Sequence, residues 1–213
     1  QGRLEVRAAP LEADVWLAER VWKKALAVVA TSATLRTLGS FSTFMRRSGM
    51  DRAEGARAMA LTSPFDLGRM AKLDVPRMGC SPKDEERYVA AALAQLDSVV
   101  DRAEGTLVLC ASRALMEALV ERLPVELKAI MRCQGDKPVA ALLEDHSAAI
   151  EAGKGSLLFG LATMAEGVDL PGALCRHVVV VKLPFASPDD PLSRARQAWM
   201  ERSGRSVFAE VML

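Results

Sequence analysis

The sequence predicts an α/β fold in which a parallel β-sheet is covered by helices on both faces. Short runs of continuously apolar residues alternate along the chain with longer stretches that carry apolar residues at helical spacing. Strands that are apolar at every position are typical of parallel sheets, and the intervening helices supply the cover. With 213 residues, 50% of them hydrophobic and 26% charged, the chain can bury such a core and has the composition of a globular protein.

The first 80 residues carry the less regular part of this pattern. Asp14–Lys24 predicts an amphipathic helix, and Ala25–Ala30 predicts a buried strand because it is apolar throughout and contains β-branched valines. Ser40–Arg47 predicts a short helix that ends at Gly49. Two further short strands are predicted at Ala56–Leu61 and Met70–Val75.

From Ser81 onward the alternation is regular. Ser81 is the predicted N-cap of a helix that runs to about Val100, and Thr106–Ala111 predicts a buried strand. Ser112 then caps the next helix. The remaining predicted elements are a strand at Leu127–Arg132, a helix at Val139–Glu151 capped by Asp136, and strands at Ser156–Phe159 and His177–Val181. This periodicity alone fits a RecA-like sheet and a Rossmann-like sheet equally well.

Three loops that follow predicted strands are the candidate binding positions, because open parallel sheets bind ligands at the carboxyl ends of their strands. Thr31–Leu35 offers small hydroxyl side chains that reach a phosphate without steric bulk, although a helix-capping turn explains such a string more simply. Ser112–Arg113 offers a hydroxyl, a guanidinium and free N–H groups at a helix N-terminus. A serine before a helix is, however, more often only an N-cap.

The third loop, Gly160–Gly172, gives the strongest of the three signals. Thr163 can donate a hydrogen bond to a phosphate, and Glu166 and Asp169 can accept from ribose hydroxyls or pair with an arginine. Gly167 allows a close backbone approach or a positive φ. A solvated crossover is the alternative, but a loop this long between buried strands of a compact domain is usually functional.

Several catalytic signatures are absent from the sequence. It contains no GxxxxGK[ST] phosphate loop, no DEAD- or DEAH-like acidic box after a strand and no GxSxG nucleophile motif. His146 and His177 have no partner at metal or triad spacing, so we expect both to be structural or surface residues and predict no metal site. On these residues the chain cannot catalyse phosphoryl transfer by itself.

Cysteine spacing and hydropathy bear on the cellular compartment. The four cysteines show no CxxC or CxxH spacing, which argues against a zinc or iron–sulfur site within the chain and for a reducing compartment. No signal peptide opens the chain, and no apolar run approaches the roughly 20 residues of a membrane span. We therefore expect a cytoplasmic protein without a membrane partner. The formal net charge of +1 makes no prediction about nucleic acid.

Four motifs, taken in their order along the chain, resemble those of one helicase family. The chain is similar to the C-terminal motor half of the DinG branch of XPD-like superfamily 2 DNA helicases. The stretch EGVDLPG, followed by VVVVKLPF and SPDDP, is the more specific part of the resemblance, whereas TSATL is weakly specific. The four motifs are TSATL at 31–35, VLCASR at 108–113, QGD at 134–136 and GLATMAEGVDLPG at 160–172.

The resemblance implies a RecA-like fold, of the P-loop NTPase type but without the P-loop, in one of two motor domains that clamp ATP. It implies that residues 1–213 form the second motor domain, with a lead-in helix in residues 1–24, and that the chain stops before motif VI of the family. The resemblance also assigns site residues by position. The coupling motif corresponds to Thr31, Ser32, Ala33 and Thr34. The DNA-binding positions correspond to Ser112, Arg113, Thr163, Ala165 and Glu166, and the nucleotide cleft to Gly167 and Asp169.

The same resemblance implies the activity of a larger protein. The family's Walker A and DEAH boxes, with the ATP and Mg²⁺ that they bind, and its four-cysteine iron–sulfur cluster belong to the first motor domain. The larger protein is expected to be an ATP-dependent DNA helicase that moves 5′ to 3′ on single-stranded DNA, and this fragment alone is expected to be inactive. Its partners are then single-stranded DNA and the first motor domain of the same chain.

Two alternatives remain open on the sequence. The chain can be a non-catalytic RecA-like module that binds nucleic acid or protein, which an intact Walker A motif upstream and motif VI downstream in the larger protein would exclude. It can also be a stand-alone nucleotide-binding enzyme, although the missing glycine-rich phosphate loop counts against this. A basic face near residues 195–205 would add a DNA contact, and a solvated helix explains it equally well; its arginines are Arg194, Arg196, Arg202 and Arg205.

Overall fold

The computed structural model describes residues 8, 10–183, 191–205 and 207. The chain divides into two compact units, unit 1 from Gln1–Ala71 with Phe185–Leu213, and unit 2 from Lys72–Pro184. The helices are α1 (Asp14–Arg20), α2 (Ser42–Ser48), α3 (Leu67–Met70), α4 (Glu85–Val99), α5 (Arg113–Glu121), α6 (Val125–Lys128), α7 (Val139–Glu151) and α8 (Pro191–Arg202), and the strands are β1 (Gly105–Cys110), β2 (Met131–Cys133), β3 (Ser156–Leu161) and β4 (His177–Val180).

In unit 1, polar contacts hold α1 against α2 and the turn that follows it. The Asp14 carboxylate, in a residue only 7% exposed, accepts two hydrogen bonds from the Arg52 guanidinium at 3.1 and 2.7 Å. The Trp22 indole N–H donates to the Ser48 carbonyl at 2.6 Å. Gly49 ends α2 with φ 70°, and a β-carbon there would lie 2.1 Å from the Asp14 carbonyl oxygen. The predicted helices at α1 and α2 are confirmed, as is the role of Gly49.

The three strands predicted before Ser81 are wrong. Ala25–Ala30 has no regular secondary structure, and Leu26 and Val29 are 107% and 86% exposed. Ala56–Leu61 and Met70–Val75 are also exposed and irregular, apart from the end of α3. An apolar run becomes a strand only where a neighbouring strand accepts its hydrogen bonds, and the described residues supply none at these places.

Unit 2 is built on a four-stranded sheet with the strand order β2-β3-β1-β4. Every neighbouring pair is parallel. β1 lies between β3 and β4, with Gly105 opposite Ser156 and Thr106 opposite His177. Each strand must therefore be joined to the next by a crossover, which α5, α6 and α7 provide between β1, β2 and β3.

Helices cover both faces of this sheet. Alternate residues of the central strands point to opposite faces, so Val108 and Phe159 pack against α4 and α5 in one apolar cluster. Leu107 and Leu158 point the other way and pack with Leu142 of α7 in a second cluster. The predicted α/β fold, a parallel sheet with helices on both faces, is confirmed.

Some boundaries in unit 2 differ from the prediction. The N-cap of α4 is Asp84, whose carboxylate accepts from the backbone N–H of Arg87, rather than Ser81. Pro138, not Asp136, precedes the first residue of α7. Where the sequence predicts a strand at Leu127–Arg132, the chain first forms α6 and then the short strand β2.

A buried histidine lies at the amino ends of the central strands. His146 is 0% exposed; its Nε2 lies 2.7 Å from the carbonyl oxygen of Leu174 and its Nδ1 lies 2.7 Å from the Ser156 hydroxyl. The Arg132 guanidinium donates to the same hydroxyl at 2.7 Å. This side chain is therefore a structural residue, as the sequence predicts, and it lies at the edge of the sheet opposite the carboxyl ends of the strands.

Candidate functional site

Three loops of unit 2 meet at the carboxyl edge of the sheet. Cys110 at the end of β1 is opposite Leu161 at the end of β3, and Cys133 at the end of β2 is opposite Phe159. Because β3 lies between β1 and β2, the loop that follows β3 is flanked by the other two loops. The parallel sheet thus brings together side chains that the sequence separates by up to about 50 residues.

The loop after β1 presents a hydroxyl and a guanidinium at a helix N-terminus. Ser112 is the N-cap of α5, and its Oγ accepts from the backbone N–H of Leu115 at 3.2 Å. With its oxygen engaged in this way, the Ser112 hydroxyl hydrogen is left to donate. Arg113, the first residue of α5, is exposed. Free backbone N–H groups, a hydroxyl donor and a cation together favour an anion at this position.

An open groove of about 310 Å³ lies beside Arg113. Met116 and Met131 contribute its apolar part, and Glu117 and Asp136 bring carboxylates to its rim. The groove therefore has mixed charge. The Arg113 guanidinium and the Ser112 hydroxyl lie at the N-terminus of α5, and an anion is favoured there.

The charges around the groove act on the Cys133 thiol. Burial raises the pKa of the Cys133 thiol; the Asp136 carboxylate raises it further, whereas the Arg113 guanidinium lowers it. Arg113 also lies over Gly135, where an added β-carbon would be 3.2 Å from its Nη1. Gly135 has φ 115° and leaves room for the guanidinium.

The loop after β2 contacts the loop after β3 through Gln134. Its Oε1 accepts from the backbone N–H of Leu161 at 2.8 Å, and its Nε2 donates to the Thr163 hydroxyl at 3.0 Å. Gln134 belongs to the QGD motif at 134–136, but the sequence pattern predicts no role for it. A polar amide directly after a strand, at the edge where ligands bind, is the signal that could have identified it.

The loop after β3 is anchored at one residue and exposed at the rest. Met164 is 1% exposed and packs into the second apolar cluster, whereas Thr163, Ala165, Glu166 and Asp169 are all exposed. A 3₁₀ turn spans Ala162–Met164.

At Gly167 the backbone has φ 75°, which explains the glycine there. No described residue forms a hydrogen bond or ion pair with the Asp169 carboxylate. That carboxylate is therefore available to a ligand.

The predicted coupling motif lies in unit 1. Thr31–Thr34 is exposed, and Ser32 organises it locally, since its Oγ accepts from the Thr34 backbone N–H at 3.1 Å and lies 3.0 Å from the Thr34 hydroxyl. This is a small hydroxyl turn. Its predicted place near the seam between two motor domains stays a prediction.

The basic face predicted near residues 195–205 is partly occupied within unit 1. Arg196 donates to the Leu11 carbonyl at 3.1 Å, and Arg205 forms an ion pair with Glu12 at 2.8 Å. These two arginines therefore stabilise unit 1. Residues 184–190, which hold the end of VVVVKLPF and most of SPDDP, and residues 208–213 lie outside the described residues.

Two features are absent from the part of the chain that the structure describes. No helix in it is long and apolar enough to cross a lipid bilayer. No group of three or more His, Cys, Asp or Glu side chains in it is arranged to hold a metal ion.

The sequence matches a known domain family over the region that builds the sheet. The profile of the helicase C-terminal domain family matches residues 96–213, more than half of the chain. The chain belongs to this family. The match includes the candidate positions of all three loops of unit 2 but not the turn at Thr31–Thr34. The RecA-like character expected for such a helicase domain agrees with the parallel sheet and its two helical layers.

Curated relatives of this helicase C-terminal domain are DinG proteins. The ATP-dependent DNA helicase DinG of Photobacterium profundum is 29% identical over 99% of this chain and 31% of its own length. Those of Salmonella choleraesuis and Escherichia coli K12 are 35% and 34% identical, each over 88% of this chain and 27% of the relative. The chain thus spans less than a third of the length of these relatives.

Two solved structures also overlap with this helicase C-terminal domain. They are named XPD_APO and XPD_Helicase, with TM-scores of 0.44 and 0.41 and identities of 21% and 22%. The overlaps cover 62% and 60% of this chain, and 26% and 21% of the two structures. The assignment of the chain to the helicase C-terminal domain family depends on the sequence match and not on these structural overlaps.

Proposed function

We propose that this helicase C-terminal domain is the second motor domain of an ATP-dependent, DinG-like DNA helicase. In this proposal the carboxyl edge of its sheet binds the phosphate backbone of single-stranded DNA, and the domain closes an ATP cleft against a first motor domain. The observation that carries the proposal is the meeting of the three motif loops at one edge, where Gln134 joins Thr163. The relatives that match nearly the whole chain are named ATP-dependent DNA helicases.

The chemistry of this edge suits a phosphate backbone better than the bases. Ser112 and Thr163 each offer a hydroxyl hydrogen, and Arg113 and the free N–H groups of α5 offer further donors. Contacts of this kind position the protein on the strand but carry no sequence information. We therefore expect binding that is independent of sequence and weakened by salt.

ATP is the substrate in this proposal and Mg²⁺ accompanies it. The family resemblance implies that the first motor domain holds the Mg²⁺. The fragment alone is expected to be inactive as an ATPase. The cytoplasmic location expected from the sequence also stays a prediction.

Arg113→Ala is expected to weaken single-stranded DNA binding by about tenfold at low salt. The reason is the loss of one charge-assisted contact to a phosphate, which also releases about one fewer counterion. Fluorescence anisotropy of a labelled oligothymidylate, titrated with the chain at several salt concentrations, measures both effects. The plot of log affinity against log salt should lose about one unit of slope.

Arg122→Ala is the matched control for this substitution. Arg122 lies at the other end of the same helix, as the C-cap of α5, and is also exposed. It carries the same charge, so a general electrostatic effect would weaken binding equally in both variants. Equal losses, or no loss with Arg113→Ala, would contradict a DNA contact at Arg113.

Asp169→Ala is expected to lower DNA-stimulated ATP turnover on the order of tenfold or more in a protein that joins this chain to a first motor domain. The exposed Asp169 carboxylate has no partner among the described residues, and the family resemblance assigns it to the nucleotide cleft. Turnover is measured at saturating single-stranded DNA, with the thermal unfolding midpoint as the check on folding.

Glu151→Ala provides the control for the loss of a surface carboxylate. Glu151 is the exposed last residue of α7, at the opposite edge of the sheet. Its replacement should leave turnover unchanged. Absence of ATP turnover in the two-domain protein itself would contradict the motor function and favour a binding module without catalysis.

A further inference from the structure

The side-chain amide of Gln134 bridges two of the three loops at the carboxyl edge. We propose that Gln134 is a positioning residue that leaves the Thr163 hydroxyl hydrogen free to donate to a DNA phosphate. This inference rests on the proposed function, because it needs DNA at this edge. It assigns a role to a side chain that need not touch the DNA itself.

The orientation of the Gln134 amide follows from its partners. The backbone N–H of Leu161 is a donor only, so the Gln134 atom 2.8 Å from it must be the carbonyl oxygen, Oε1. A flipped amide would place two donors against each other. The NH₂ group therefore faces the Thr163 hydroxyl, 3.0 Å away, and donates to it.

The hydrogen bond from Gln134 fixes the role of Thr163. An amide nitrogen has no lone pair to offer, so the Thr163 oxygen must accept and its hydrogen points elsewhere. Among the described residues the Thr163 side chain has no second hydrogen-bond partner. Thr163 is exposed, so its hydrogen is available to an acceptor that arrives from outside.

Ser112 shows the same arrangement on the neighbouring loop. Its oxygen accepts from the backbone N–H of Leu115, which leaves its hydrogen to donate. At each of the two hydroxyls, a donor group of the protein binds the oxygen and leaves the hydrogen free to donate to a ligand. Two preset donors favour a ligand that only accepts hydrogen bonds, and the phosphate groups of a nucleic-acid backbone are such a ligand.

Gln134→Glu reverses this arrangement with almost no change of shape. One carboxylate oxygen can still accept from Leu161, so the bridge to the backbone is kept. The other oxygen can only accept, so it takes the Thr163 hydrogen and withdraws the donor. Because the substitution also adds a negative charge, its effect has to be separated from direct repulsion of DNA.

A double-mutant cycle makes this separation. The affinity of the full chain for a fluorescent oligothymidylate is measured for wild type, Gln134→Glu, Thr163→Val and the double variant. Each single variant is expected to weaken binding about tenfold, as for the loss of one hydrogen bond to a charged group. The double variant should bind no more weakly than Gln134→Glu alone, because both changes remove the same donor.

Thr163→Ser is the matched control, because it keeps the hydroxyl. It should restore most of the binding that Thr163→Val loses and remain sensitive to Gln134→Glu. If Gln134→Glu costs the same factor beside Thr163→Val as it does alone, the charge acts directly and the inference is wrong. Unchanged binding by Gln134→Glu also overturns it, whereas failure of the wild type to bind DNA overturns the proposed function itself. Thermal unfolding midpoints within a few degrees of wild type show that the variants are folded.

Discussion

Gly105→Ala is expected to destabilise unit 2 by about 3 kcal/mol or more, enough to unfold a marginally stable unit. A β-carbon on Gly105 would lie 1.9 Å from the carbonyl oxygen of Leu174 and 2.5 Å from its carbonyl carbon. Both are backbone atoms, so no side-chain rotation relieves the clash. Since Gly105 begins β1, between β3 and β4, any shift would disturb strand pairing on both sides.

Gly160→Ala is the matched comparison, because Gly160 also lies in a central strand. The atoms nearest to its β-carbon would belong to the Met164 side chain, with Sδ at 2.8 Å and Cβ at 2.9 Å. The thioether can rotate away, whereas the Met164 Cβ requires a small shift of the 3₁₀ turn, so we expect a loss of about 1–2 kcal/mol. Urea denaturation followed by circular dichroism gives both values. Equal losses for the two variants would contradict the argument from backbone contact at Gly105.

The sequence pattern was sufficient for the core of unit 2. Thr106–Ala111 and Ser156–Phe159 are apolar at nearly every position, and the structure places them as adjacent buried strands with helices on both faces. The same reasoning failed at Ala25–Ala30, which is equally apolar but exposed. An apolar run states what a segment can bury, whereas a strand also requires a partner, and the local sequence does not say whether one is present.

The first residue of α4 could not be predicted from the sequence because two residues can serve as its N-cap. Ser81 and Asp84 are both good N-caps, and either can precede the same amphipathic run. The structure uses Asp84, three residues later, so that α4 begins at Glu85. At Ser112 only one capping residue precedes the apolar run, and there the predicted N-cap is the observed one.

The candidate site was predictable as a set of loops but not as a set of contacts. Ser112 and Thr163 were identified because each follows a predicted strand. The contacts of Gln134 with Leu161 and Thr163 join residues 27 and 29 positions apart. They exist because β2 pairs with β3 rather than with β1. Strand order is a long-range property, so the local pattern could not assign a role to Gln134.

The stability of unit 2 is expected to fall as the pH drops below about 6.5, because His146 is buried without charge. Its Nε2 faces the carbonyl oxygen of Leu174 and must donate, so Nδ1 accepts from the Ser156 hydroxyl in the neutral tautomer. Burial lowers the pKa of His146 below its usual 6.5, and the nearby Arg132 charge lowers it further, against the opposing effect of the Leu174 hydrogen bond. A proton on Nδ1 would place a second donor toward a hydroxyl that already accepts from Arg132.

The sign of the pH effect follows from the lowered pKa. Above pH 6.5 both the folded and the unfolded chain carry neutral His146, so stability does not depend on this group. Below that pH the unfolded chain binds the proton first, and the free energy of unfolding falls by up to about 1.4 kcal/mol per pH unit until the folded pKa is reached. Urea denaturation between pH 8 and 5.5 measures the slope, since carboxylates change little in this window.

Two variants assign that slope to one side chain. His146→Leu should cost about 1–3 kcal/mol at pH 8, because it leaves the Leu174 carbonyl without its donor, and it should remove the pH dependence. The sequence has one other histidine, so His177→Gln should retain the full slope. If the slope survives in His146→Leu, another group titrates and His146 is not the cause. If the slope vanishes in His146→Leu, His146 is the group that makes the stability of unit 2 sensitive to acid. The sheet of this unit carries the proposed DNA-binding edge.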